Sequence, residues 1–203
     1  GLLENLDNWV FLEWSKANEF IGGVNFPSNM LYSFTLKCAA ELYGDKELLK
    51  RSEEMKRAIL SLSYNGEFFV DQAMRDKENK LQLTQNISET CQYYAFWTGV
   101  ADKGSYPELY KTLLCSFSDR DAEKTYPNVY PSNAFIGRLL RMDYFLREKE
   151  YETVLKEAKT YYLPMAQRTG TLWENLTTVA SCNHGFSGYI ACLLVQAYTA
   201  LHR

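Results

Sequence analysis

Two kinds of helical segment alternate along the 203 residues of this chain, and the alternation leaves few folds open. Segments 29–43, 88–99 and 185–202 are apolar nearly all round and carry few charges. Segment 133–147 belongs with them despite more charge. The stretches "GDKELLKRSEEMKRAIL" and "REKEYETVLKEAKTYY" are instead densely charged on one face. A helix apolar all round is expected inside a fold, and an amphipathic one outside. The order is therefore buried helix, short turn, surface helix, long return loop, repeated. The buried helices begin near 29, 88, 133 and 185, a loose period of roughly 50 residues. Helix pairs that repeat in this way stack into a solenoid or close into an α/α toroid. The expected fold class is all-α, with residues 1–203 as one helical domain.

Local signals set the boundaries. Ser28 or Asn29 is the expected cap of the first helix, and Gly44 its end. A second helix covers 46–62, with Leu48, Leu49, Ser52, Met55, Ile59 and Leu62 near helical spacing. "YNG" (64–66) reads as a turn, "EFFVD" (67–71) as a short extended piece and "RDKENK" (75–80) as a solvated loop. Further helices are expected over 88–99, 106–117, 133–147, 151–163 and 185–202, with a loop at 119–133. There is also internal repetition. "NFPSNMLYSFTLKCAAELYGDKEL" and "VYPSNAFIGRLLRMDYFLREKEY" each open a buried helix with aromatic-Pro-Ser-Asn and then turn into a surface helix.

Charge and cysteine content narrow the function classes. The net charge is −3, from 22 basic and 25 acidic residues with no basic block, which argues against nucleic acid as a partner. No apolar run approaches the roughly 20 residues that a membrane span needs. The five Cys (38, 91, 115, 182 and 192) show no metal-binding spacing and read as buried thiols. The chain opens Gly-Leu-Leu-Glu with no signal peptide, and the sequence leaves its compartment open. Aromatic residues reach 15%, enough for a large core or for a cleft where rings stack on a ligand.

One stretch breaks the helical pattern. "TLWENLTTVASCNHGF" (171–186) places Trp173, Glu174, Asn183 and His184 between two helices. It occupies a return loop, as "EFFVD" does, and the return loops of such repeats gather at one end of the helix pairs.

Four blocks in this order carry a resemblance: "NWVFLEWS", "LTQNISETCQYYAFWTGVAD", "YPSNAFIGRLL" and "GTLWEN…CNHGFSGYIACLL". Together they resemble the catalytic domain of α-L-rhamnosidases of glycoside hydrolase family 78 over most of the chain. The Trp-Glu and Asn-His blocks are the most specific part. The resemblance implies an (α/α)6 barrel that cleaves terminal α-L-rhamnose from glycosides or polysaccharides with inversion, using no metal and no cofactor. It implies that Glu174 is the general base and that His184 contacts the sugar. Trp173 and Trp14 would be aromatic walls, with Asn183 beside them. Glu13 stands where the family carries Asp. The family's acidic motif is not present, and a six-pair barrel needs roughly twice as many helices. The chain then reads as the C-terminal part of a longer enzyme, inactive alone and inclined to self-associate, in or outside the cytoplasm of a bacterium.

The mechanism has a physical logic of its own. Inverting hydrolysis needs an acid and a base roughly 6.5–9.5 Å apart, which leaves room for water. A polar neighbourhood of Asn, Thr and His keeps a carboxylate ionised and oriented. Structural roles compete for the same residues: His184 as a cap or packing group, Glu89 as a helix-start group, and Trp9 and Trp97 as core. The sequons at Asn86 and Asn175 matter only in a eukaryotic secretory path. A helical-repeat scaffold that binds protein or carbohydrate without catalysis is the alternative function.

Overall fold

The structure, a computed structural model, describes residues 1–117 and 125–202. It is mostly helical, and its backbone contacts divide the chain into two compact units, Gly1–Pro131 and Ser132–Arg203. Residues 119–124 of the expected loop lie outside the described residues. Among the described residues, no helix is long and apolar enough to cross a membrane.

In the first unit, helix α1 (Phe26–Tyr43) starts earlier than expected. Asn25, not Ser28 or Asn29, is the cap, and its side chain accepts the Ser28 N–H at 2.9 Å. Pro27 sits in the first turn, where its missing N–H costs nothing. Asn29 is thereby freed for another task. Its amide accepts from Leu3 N at 2.7 Å and donates to Leu3 O at 3.0 Å, which pins the N-terminal segment to the start of α1. Gly44 ends the helix as expected, in the left-handed conformation that glycine adopts without strain. Helix α2 (Lys46–Ser63) begins at Asp45, whose carboxylate accepts the N–H groups of Glu47 and Leu48. It buries Ser52, Met55, Ile59 and Ser63 and leaves its charged face in water, as expected for a surface helix. Small side chains let α1 and α2 approach closely: Ser33 donates to Ser52 O at 3.0 Å and Ser52 donates to Ser33 O at 2.7 Å. Helix α3 (Glu89–Trp97), capped by Ser88, is buried from Glu89 to Phe96, and α4 (Pro107–Lys111) runs on into a π-helical segment (Thr112–Ser116).

The all-α expectation needs correction in the return loops. Strands β1 (Val24–Asn25), β2 (Gln72–Arg75) and β3 (Leu81–Leu83) form an antiparallel sheet in that order. Strand β4 (Ile87–Ser88) pairs in parallel with β5 (Val129–Tyr130). Backbone groups in a buried loop need partners, and loops that run side by side supply them to each other. The "RDKENK" segment is the exposed turn between β2 and β3. Gly23 lies in this region with φ +60, its N–H donating to the Asn5 side chain and its carbonyl accepting from Asn5 N. A Cβ there would run into the Ala73 carbonyl. Gly23→Ala is therefore expected to cost about 2 kcal/mol or more, from left-handed strain plus the clash. Denaturant unfolding checks this; an unchanged midpoint would contradict the close approach.

The second unit holds α5 (Gly137–Arg147) and α6 (Tyr151–Glu157), which is continued by a π-helical segment (Ala158–Tyr162) and α7 (Leu163–Thr169). After the 171–184 loop come a short 3₁₀ turn (Gly185–Gly188) and α8 (Tyr189–Leu201). The charges of α5 turn out to be internal. Arg141 Nε donates to Glu157 Oε1 at 2.5 Å, and Arg138 lies 3.8 Å from the other oxygen. The two guanidinium groups lie over the rings of Phe145 and Tyr161, 4.5 and 4.4 Å from the ring centroids.

Two expectations fail here and in the first unit. Helix α8, expected inside, buries only the stripe Ile190, Leu193 and Ala197. Val195 is 66% exposed and Tyr198 58%, and with Leu155, Tyr162 and Leu194 they line an apolar groove of about 540 Å³. An apolar sequence states what a helix face avoids, not whether the same chain covers it. Of the five cysteines only Cys91 is buried. Cys38 and Cys192 lie off the buried stripes of α1 and α8, Cys115 is exposed and Cys182 is half-buried.

Candidate active site

Trp173, Glu174, Asn183 and His184 lie on one closed loop of the second unit, between α7 and the 3₁₀ turn. Short polar residues tie it shut. Backbone bonds run from His184 N to Leu172 O and from Glu174 N to Ser181 O, both 2.9 Å. The Thr171 hydroxyl donates to Cys182 O, and the buried Ser187 hydroxyl donates to Trp173 O at 2.7 Å. The loop is thus a narrow ladder with Glu174 on one rail and His184 on the other.

A further clamp comes from the second aromatic-Pro-Ser-Asn motif. Asn133 Oδ1 accepts the Leu176 N–H at 2.8 Å, and its amide donates to the buried Asn175 side chain. It therefore fixes the two residues that follow Glu174. Asn29, at the same place in the first motif, clamps Leu3 in the same way. The repeat carried this signal in the sequence, but its asparagines read as helix caps. Thr171, Ser187 and Asn133 are the residues that sequence reasoning missed, and only Asn133 had a signal to find it by.

The four residues differ in exposure. Glu174 is half-buried and Asn183 is exposed. His184 is half-buried and heads the 3₁₀ turn without a side-chain capping bond. Its ring stands edge-on to Phe135 at 4.9 Å, and its Nδ1 is buried with no hydrogen-bond partner among the described residues. Trp173 is only 5% exposed. Its indole N–H donates to Thr169 Oγ1 at 2.8 Å and Arg168 lies 5.6 Å from its ring, so it anchors the loop from within.

Trp14 belongs to the first unit. It is 44% exposed and meets Phe11 edge-on at 4.7 Å, and Phe11 in turn touches Trp9 at 5.3 Å. Trp9, expected in the core, is 76% exposed. The three rings form a ladder along residues 9–14. Glu13 beside them is fully buried, with one carboxylate oxygen accepting the Trp14 N–H. Burial, with the Glu13 charge nearby, pushes the Tyr94 hydroxyl well above its usual range, so it stays neutral. Glu89 is buried and accepts from Tyr93 at 3.0 Å, an internal role. Trp97 is half-buried against Phe34. Among the described residues, no group of three His, Cys, Asp or Glu could hold a metal ion.

Chemically, the loop offers a half-buried carboxylate held on a fixed backbone, an unsatisfied imidazole nitrogen and an exposed amide. A carboxylate so held can orient a water molecule, and the other two can hold hydroxyl groups. Comparison with known proteins bears on the fold. No protein-family model matches the chain, and no curated protein matches it. The crystal structure of a GH78 family rhamnosidase of Bacillus sp. GL1 is similar to it with a TM-score of 0.71 over 97% of this chain, at 14% identity. The chain spans 21% of that protein's length. The likeness is one of fold: this chain has the backbone arrangement of a part of that protein.

Proposed function

We propose that the chain is the C-terminal part of a glycoside hydrolase that removes terminal α-L-rhamnose with inversion. The observation that carries this reading is the conjunction of fold likeness over 97% of the chain with Glu174 and His184 on one clamped loop before an apolar helix. In this reading Glu174 is the general base that takes a proton from the attacking water. His184 and Asn183 hold sugar hydroxyls, with the free Nδ1 of His184 as one contact. Trp173 backs the loop. The general acid lies in sequence upstream of this chain, so the ligand is a rhamnose-containing glycan and the 203 residues alone are inactive.

The test is hydrolysis of an aryl α-L-rhamnoside, followed by proton NMR of the first sugar released. The longer protein that carries this chain is expected to release β-L-rhamnose first, and the isolated chain to release none. Release of the α-anomer first would exclude the single-displacement mechanism. Failure of the longer protein to cleave any rhamnoside would exclude the substrate.

A further inference from the structure

The first unit contains a cleft of about 850 Å³ in which no residue of the 171–184 loop takes part. Its size lies within the roughly 300–1,000 Å³ of small-molecule sites, and it exceeds a single pyranose ring several times over. Its floor is apolar and fixed. Phe68, Val70, Ile87 and Val129 are all buried, and Val129 and Ile87 face each other in the β4–β5 pair. Phe68 stacks on Phe117 at 6.2 Å and meets Tyr126 edge-on at 5.7 Å. Tyr126 is half-buried and Tyr130 is 38% exposed, so each keeps ring surface for a ligand.

The rim is made of side-chain amides. Asn65 Oδ1 accepts the N–H groups of Glu67 and Phe68 at 3.0 and 2.8 Å, which orients the amide and leaves its NH₂ group to donate. Asn86 is held the other way round: its NH₂ donates to Gln72 Oε1 at 2.7 Å, and its oxygen is left to accept. The amides of Gln85 and Asn128 make no hydrogen bond among the described residues. Among the described residues, the lining has one carboxylate, Glu67, and no Lys, Arg or His. No cation among these lining residues offsets the charge of an anion, which disfavours phosphates and uronic acids. A ligand with apolar C–H faces and many uncharged hydroxyls matches floor, rings and rim together.

We infer that this cleft binds a neutral oligosaccharide through the amides of Asn65, Gln85, Asn86 and Asn128, with Tyr126 and Tyr130 as ring contacts. The inference does not rest on the hydrolase reading. The test titrates the 203-residue chain with maltotetraose, cellotetraose, an α-linked rhamnose tetrasaccharide and, as the anionic control, trigalacturonate. Saturation-transfer NMR and calorimetry are the readouts. At least one neutral tetrasaccharide is expected to bind, and trigalacturonate is not. The double substitution Gln85→Ala, Asn128→Ala changes two exposed side chains. It is expected to weaken binding at least tenfold with an unchanged Tm. No binding by any neutral probe, equal binding by the double variant, or preference for trigalacturonate would overturn the inference.

Discussion

In the proposed hydrolase, Glu174→Gln is expected to lower kcat by about 100- to 10,000-fold with little change in KM, the usual scale of a general-base contribution. Gln preserves the shape and the polar contacts of Glu but cannot take the proton from water. Its backbone is tied to Ser181, and the following residues to Asn133, so the substitution leaves the loop in place. Ground-state binding is retained while stabilisation of the transition state is lost. A small anion such as azide, which attacks without a base, is expected to restore part of the turnover as an inverted glycosyl azide. His184→Ala is expected to raise KM as well, because its proposed role is to hold the sugar. The measurement is steady-state hydrolysis of an aryl α-L-rhamnoside by wild type and both variants. A near-normal kcat in Glu174→Gln would remove Glu174 from the mechanism and favour the non-catalytic scaffold.

Much of the helical frame was legible because single residues fix it. Gly44 ends α1, Ser88 caps α3, and the charged face of 46–62 lies in water. The strands were not legible for a physical reason. Segments of two to four residues, such as Val24–Asn25 and Gln72–Arg75, are too short to display a period of two. Their pairing is decided by which loops lie side by side, and a linear reading does not contain that information. The π-helical segments at 112–116 and 158–162 likewise follow from packing and not from a local motif.

At the candidate site, the sequence marked the residues but not the way they are held. Trp173 and Glu174 are adjacent, yet one is buried and the other half-buried, because the Trp173 carbonyl and indole N–H are both taken up within the unit. The side-chain clamp of Asn133 joins positions 43 residues apart. A repeat shows that an Asn recurs at a helix start. Whether its amide caps that helix or holds a distant segment depends on what lies beside it, and Asn29 and Asn133 do the second.

Stability is expected to fall as pH rises from about 4 to about 7, because of Asp71. This residue ends the "EFFVD" stretch and is fully buried. Its main chain binds Phe26 and Asn86, and its carboxylate accepts the N–H and hydroxyl of Ser88 at 2.7 Å each. It thus joins the starts of α1 and α3. Burial raises its pKa from 3.8 to about 7, and the Ser88 donors counter this only in part. The folded state therefore keeps a proton that the unfolded chain gives up near pH 4. Between those values the native state binds more protons, and linkage makes unfolding easier as pH rises. The associated stability is fully present below the unfolded value and lost once pH passes about 7. A rise of roughly three units at about 1.36 kcal/mol each amounts to about 4 kcal/mol. Asp76 and Asp102 have lowered values from backbone hydrogen bonds, so their contributions are lost only as pH falls below the usual carboxylate range. They do not mask the window. Asp71→Asn removes the titration and keeps an acceptor for Ser88, so its stability is expected to be nearly flat from pH 4 to 7. Urea unfolding at each pH separates the two curves. A wild-type stability that is constant or rises over this range, or an equal slope in Asp71→Asn, would show that the buried carboxyl does not hold its proton.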